Sequence, residues 1–223
     1  MLYLVGSPIG NLSDITLRAL EVLKDVSIVA AEDTRRTLIL LKHYEIQKPL
    51  ISFHEHNEAS RTTELIEKMR TGATVALLTD AGMPSISDPG YRIVRACIQA
   101  GIIVEVIPGP SAVITAIVGS GLPTDRFYYG GFLPIKSGQR QKELLVALAR
   151  EVTSVYFESP HRIIRSLETL LDADPARPIC VARELTKRYE EYRRGTVAEV
   201  LAHYASHPPK GEITLIIAGS DGS

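Results

Sequence analysis

The sequence predicts an α/β protein of two domains, the first a mostly parallel sheet with helices on both faces and the second a mixed sheet. Three observations carry this. Short apolar and β-branched runs alternate with helical patterns five times over residues 1–118. A turn-rich segment, Gly119-Ser120-Gly121-Leu122-Pro123-Thr124, then breaks the alternation and marks a boundary, giving domains over 1–118 and 119–223. Beyond it, hairpin-like and crossover connections are mixed. With 223 residues the chain can bury one large core or two modest ones, and 45% apolar with 23% charged residues is ordinary for a globular protein.

Taken in order, Leu2–Val5 is a short strand, followed by a loop, Gly6-Ser7-Pro8-Ile9-Gly10-Asn11, suited to close backbone approach. A helix follows over Leu17–Lys24, with Ser13 or Asp14 as its cap. Ser27–Ala31 is the second strand, ending in Glu32-Asp33-Thr34-Arg35-Arg36, and Thr37–Tyr44 continues as helix. Leu50–Phe53 is the third strand. Asn57 then caps a helix through Leu65, Ile66 and Met69 that Gly72 stops. The fourth strand, Val75–Leu78, is wholly apolar and so reads as buried on both faces. Tyr91–Ile98 is helical, Gly101 ends it, and Ile102–Ile107 is the fifth strand. Pro108-Gly109-Pro110 breaks that strand, and Ser111-Ala112 opens a helix to about Val118. In the second half, strands are expected at Phe127–Phe132, Ser154–Phe157, Ile179–Ala182 and Ile213–Ile217, with a charged edge strand at Tyr189–Arg194. Helices are expected over Gln139–Leu148, Arg162–Leu171 and Val197–Tyr204.

Composition narrows the function. A net charge of −1 excludes a general polyanion binder, although local basic clusters at Arg35-Arg36, Arg61, Lys187-Arg188 and Arg193-Arg194 leave room for phosphate contacts. Cys97 and Cys180 are the only cysteines, too few for a disulfide framework or a thiolate metal cage. No apolar run approaches the ~20 residues of a membrane span, and Met1 leads straight into a strand, so a cytoplasmic location is expected. His54-Glu55-His56 lacks zinc-protease spacing, no glycine-rich nucleotide fingerprint or phosphate loop is present, and no serine sits in a nucleophile elbow.

The most informative stretch is Thr79-Asp80-Ala81-Gly82-Met83-Pro84-Ser85-Ile86-Ser87-Asp88-Pro89-Gly90. Short strand-to-helix connections take ~2–6 residues. This one is longer and carries two glycines, two prolines and two aspartates. Unusual loops also follow Val5, Ala31 and Ile107. In a parallel sheet those strand ends share one edge, so the loops converge on one crevice. A site built of backbone and small residues suits a nucleoside better than a triphosphate.

Together, Gly6-Ser7-Pro8-Ile9-Gly10-Asn11-Leu12, Ala31–Arg35, Asp80–Pro84 with Ser87–Gly90, and Gly109–Ala112 resemble the tetrapyrrole methylase superfamily. Phe157-Glu158-Ser159-Pro160-His161-Arg162, Ala182–Lys187 and Lys210-Gly211-Glu212 extend the likeness along the whole chain, in order, toward the branch that acts on ribosomal RNA. The resemblance implies two α/β domains with S-adenosylmethionine in the cleft between them, usually in a homodimer. It implies methyl transfer to the ribose 2′-oxygen of a cytidine in the decoding region of 16S rRNA. Carried over, the cofactor contacts are Pro8, Asp80, Ala81, Gly82, Met83, Ser111, Ala112, Phe157, Leu185, Gly211, Glu212 and Thr214. Ser7 stands where threonine is common and Met83 where threonine is frequent. Members often continue past the final strand, so either a shorter homologue or a trimmed piece of a longer protein is expected.

Methyl transfer is an in-line displacement, so alignment is the main task, and a hydroxyl nucleophile gains from a base or a nearby cation. Asp33 or Glu32 is expected to orient the hydroxyl while Arg35 holds a phosphate; the same acidic pair reads equally well as a helix cap. RNA contacts are expected from Arg35, Arg36, His54, His56, Arg61, Arg183, Lys187 and Arg188; Tyr128 or Tyr129 could stack on a base, although packing in the core is the better reading for both. Two other readings share these residues. One is a methylase of a small tetrapyrrole, against which the Glu32–Arg35 and His54–Asn57 loops argue. The other is a non-catalytic RNA-binding module that keeps the cofactor cleft.

Overall fold

Strand β1 (Leu2–Val5) lies inside a sheet whose side chains are shared between two cores. Leu2 and Leu4 enter one core and Val5 the other, as the two-residue period of a strand requires. Strand β4 (Val75–Leu78) does the same, with Val75 and Leu77 on one side and Ala76 and Leu78 on the other. The computed structural model describes residues 1–220 and divides into two units, Met1–Ser111 and Ala112–Ser223.

The first unit is a five-stranded sheet in the order β3-β2-β4-β1-β5, with β2 at Ile28–Ala31, β3 at Leu50–Ser52 and β5 at Val104–Ile107. Every pairing is parallel. Helices α1 (Leu17–Asp25) and α2 (Thr34–His43) pack Ala19, Leu23, Leu40 and Leu41 on one face. Helices α3 (Glu58–Arg70) and α4 (Tyr91–Gln99) pack Leu65, Ile66, Met69, Ile93 and Cys97 on the other. Each fully buried side chain of this kind contributes ~1.5–3 kcal/mol, which is what holds helices to both faces. The neighbouring strands β1 and β4 therefore send their following helices to opposite faces, and such a switch point opens a crevice at the carboxyl ends of the strands.

Two caps differ from expectation. Ser13 and Asp14 lie in a short 3-10 turn, and Thr16 caps α1 by accepting from the Ala19 N–H at 3.1 Å. Asn57 occupies the cap position of α3, but its side chain turns back to the His54 N–H and Ser52 instead.

The second unit opens with α5 (Ala112–Ser120) and has a mixed sheet in the order β6-β7-β10-β8-β9. Its strands are β6 (Phe127–Phe132), β7 (Thr153–Glu158), β8 (Pro178–Arg183), β9 (Glu191–Thr196) and β10 (Ile213–Ile217). Only β6 and β7 pair in parallel. Helices α6 (Ser137–Ala149), α7 (Ile163–Ala173) and α8 (Val197–Ser206) share a core with Ile179, Val181, Leu215 and Ile217.

The division falls earlier than the turn-rich segment at 119–124 suggests, which moves α5 into the second unit. The cause is packing on the sheet face opposite α6–α8. Tyr192, opposite Ala182 in register, donates its hydroxyl to Thr115 O at 3.0 Å, and the Arg194 Nε–H donates to Gly119 O. Gly119 is seated on the Tyr192 ring, where an added Cβ would lie 2.3 Å from Cε1. Turn chemistry marked a connection but could not show which sheet the preceding helix joins.

Candidate active site

The parallel order brings the loops after β1, β2, β4 and β5 to one edge of the first sheet, and they touch there. Ser7 and Gly82 exchange backbone hydrogen bonds at 2.9 and 3.0 Å. Gly6 lies so close to Gly109 that a Cβ on Gly6 would sit 2.7 Å from the Gly109 Cα. Gly82, with φ of 81°, approaches Ile9 and Pro110. The Ser7 hydroxyl donates to Thr79 O at 2.8 Å, while the Met83 sulfur packs beside Gly6. The first-unit cofactor candidates Pro8, Asp80–Met83 and Ser111 thus belong to one cluster of loops. Ala112 begins α5 of the second unit.

The β2 and β4 loops are laced by their carboxylates. The Asp80 N–H donates to Glu32 Oε2 at 3.1 Å, and the Asp33 N–H donates to Asp80 Oδ1 at 3.1 Å. Arg36 reaches Asp80 Oδ2 at 3.3 Å. Asp33 caps α2 by accepting from the Arg35 N–H, and its two oxygens take the Arg35 guanidinium at 3.0 and 2.7 Å. That fork, with the cap, lowers the Asp33 carboxyl to about 2. Asp33 is therefore a poor proton acceptor, and the helix-cap reading describes it better than the role of a base.

Asp88 is the contrasting group. It is half-buried in the same loop as Asp80, and its carboxyl has no hydrogen bond or ion pair among the described residues. Burial, and after it the charges of Glu32 and Asp80, push it up to about 7. The loop around it is held by unusual backbone: Ser85 and Ser87 have φ of 72° and 59°, and Gly90 has 143°. Glu58, at the start of α3, grips it by accepting from the Gly90 and Arg92 N–H groups at 3.1 and 3.3 Å. The same loop carries two buried hydroxyls with no partner among the described residues, Thr79 Oγ1 and Ser85 Oγ. Sequence reading quoted Asp88 within its motif but singled out neither it nor Glu58, because both meet their neighbours only through folding.

The remaining candidates separate. His54 Nε2 is 3.1 Å from the Asn57 amide, and His56 stacks edge-on to His54. Arg61 is occupied by Glu64. In the second unit, Arg183 pairs with Glu191, Lys187 bridges Glu184 and Glu212 at 2.9 and 2.8 Å, and Arg188 is exposed beside the Tyr189 ring. Phe157, Leu185, Gly211, Glu212 and Thr214 gather at one end of that sheet. Thr214 is in register with Phe157 and Ala182, and Glu184 and Glu212 exchange hydrogen bonds. Tyr129 packs on Phe157, and Tyr128 lies under the Arg150 guanidinium.

A family model described as tetrapyrrole (corrin/porphyrin) methylases matches residues 1–201. The chain belongs to the tetrapyrrole methylase family. Among curated members, it is 45% identical to the ribosomal RNA small subunit methyltransferase I of Thermotoga maritima over 99% of both chains. It is 49% identical to the protein of that name from Synechocystis, over 99% of this chain and 79% of the relative. For the Escherichia coli O157:H7 protein of that name the identity is 47%, over 98% and 77%. A solved methylase structure, uroporphyrin-III-C-methyltransferase from Thermus thermophilus, superposes with a TM-score of 0.68 at 26% identity, covering 99% of this chain and 94% of that one. Diphthine synthase shares the fold at 14% identity, with a TM-score of 0.71 over 97% and 89%.

Proposed function

We propose that this protein is an S-adenosylmethionine-dependent methyltransferase acting on the ribose 2′-hydroxyl of a cytidine in 16S rRNA of the small ribosomal subunit. The observation that carries the reading is near-full-length identity to relatives named for small-subunit ribosomal RNA methylation, well above the 26% shared with a uroporphyrin methylase. Uroporphyrin-III C-methyl transferase from Thermus thermophilus, which shares the fold, has been solved in complex with S-adenyl homocysteine.

The residues fit this cofactor. Glu32 and Asp80 stand together here, with Arg36 pairing only with Asp80, and the remaining negative character suits a ligand bearing a sulfonium and an ammonium. The orphaned Thr79 hydroxyl and the backbone of the Gly6, Gly82 and Gly109 loops offer polar contacts without a phosphate cradle. Pro8, Asp80, Ala81, Gly82, Met83 and Ser111 would hold the cofactor in the first unit, with Ala112, Phe157, Leu185, Gly211, Glu212 and Thr214 as the second-unit set. When bound, the cofactor supplies an electrophilic methyl group. The chain aligns the nucleophile, and placing the reacting atoms at about 3–3.5 Å is worth several kcal/mol. Glu32 and Asp33 order the site, while Arg35, Arg36, His54, His56, Arg61, Arg183, Lys187 and Arg188 meet RNA, in most cases by exchanging an internal partner for a phosphate. A cytoplasmic location accords with a ribosomal substrate, and exposed apolar Phe132 and Ile135 support a homodimer.

Tritiated S-adenosylmethionine supplied with unmethylated small-subunit particles, and separately with a corrinoid precursor, tests the reading. Label in a cytidine ribose of the particles is expected. Label in the corrinoid alone, or binding without transfer, would overturn it.

A further inference from the structure

Resting on the methyltransferase reading above, we infer that Asp88 is a catalytic residue, the proton acceptor for the ribose hydroxyl. Four observations converge on it. Asp88 lies in the loop that follows the central strand β4, at the carboxyl edge where the first-unit loops meet. Its carboxyl is the one in this cluster with no partner among the described residues, whereas Glu32, Asp33 and Asp80 are each engaged by backbone N–H groups, and Asp33 and Asp80 by arginines as well. It is half-buried, which raises the cost of its charge and favours taking up a proton. Finally, its loop takes costly backbone conformations at Ser85 and Ser87, and Glu58 anchors its end by accepting from the Gly90 N–H two residues downstream.

The charged groups around it are Glu32 after β2, Asp80 after β4, Arg36 on α2, which neutralises Asp80 in part, and Glu58 with Arg92 at the junction of α3 and α4. Burial first, and after it the two nearby carboxylates, raise the proton affinity of Asp88 toward neutrality, which is where a general base works best. In the step, Asp88 takes the hydroxyl proton while the new carbon–oxygen bond forms and the donor's carbon–sulfur bond breaks. The positive charge of the sulfonium is thus replaced by a proton on Asp88, which passes to water as products leave. Asp33, held by Arg35 and lowered below the usual carboxylate range, is a poorer proton acceptor.

The test compares wild type, Asp88→Asn and Asp88→Glu in single-turnover methylation of small-subunit particles across pH, with cofactor affinity measured calorimetrically and folding checked by thermal melts. Wild type should lose rate tenfold per pH unit on the acid side and level off above neutrality. Asp88→Asn should fall by roughly 10²–10⁴-fold with a flattened profile and cofactor affinity within about twofold, and Asp88→Glu should recover part of the rate. Carbon-13 NMR of the wild-type carboxyl should titrate at about 7. Full activity or an unchanged pH profile in Asp88→Asn overturns the assignment, as does a loss matched by equal loss of cofactor affinity or a titration near 3.8. Wild type that transfers no methyl to particles overturns the methyltransferase reading itself, a result distinct from any of these.

Discussion

Asp33 and Asp88 show how two identical side chains in one loop cluster are driven apart by their surroundings. The Arg35 fork lowers Asp33 to about 2, so this carboxylate stabilises the fold above its ordinary 3.8 and loses that contribution as pH falls toward 2. In Arg35→Ala the NMR titration of Asp33 should move back up toward 3.8, and an unmoved midpoint would show that the helix cap alone holds it. Asp88 works in the opposite direction. Raised to about 7, it costs stability as pH climbs from 3.8 through 7 and the unfolded chain ionises first. Asp88→Asn should therefore raise the melting temperature at pH ~8 and leave it unchanged near pH ~4, by an amount on the order of 1–2 kcal/mol after solvent screening. A lower melting temperature at the higher pH would contradict this. The gain would accompany lost activity, a familiar exchange at active sites.

At the scale of elements, the strand and helix order was legible because each element carries its own period or punctuation. The apolar run Val75–Leu78 could only be a doubly covered strand, and it is buried throughout. Thr196 and Glu199 form a reciprocal capping box on α8, a spacing readable from the residues alone. Thr196→Ala should cost about 1 kcal/mol in chemical denaturation. Gly6 is different: nothing local to Gly6-Ser7-Pro8 shows that its Cα abuts Gly109 more than a hundred residues away. Gly6→Ala forces those two loops apart and should cost about 1–3 kcal/mol. It should also weaken S-adenosylmethionine binding at least tenfold by calorimetry; unchanged affinity would remove the β1 and β5 loops from the cofactor site. Glu158 was quoted only as part of a motif, yet its fully buried carboxylate collects Arg162, Ser166 and the Ser159 N–H. Its partners all lie within eight residues, but burial makes the pairing matter.

For the whole molecule, most basic residues assigned to RNA are already in ion pairs, so association must exchange internal partners for phosphates. Binding to small-subunit particles should still weaken with salt. If about four phosphates are held, a fourfold rise in salt should lower affinity by roughly a hundredfold, and a flat response would argue against RNA. Light scattering should give twice the monomer mass, and a monomer would remove the dimer from the reading. The sequence alone determined the two-sheet α/β class, the elements and the loops that carry chemistry, because strand period, helix period and turn chemistry are local properties of the chain. Only the tertiary structure decided that α5 joins the second sheet and that Asp88 is left unpaired near Glu32 and Asp80. Those outcomes depend on burial and on distances between residues far apart in sequence, and the electrostatic energies that tune a carboxyl exist only once folding has set both.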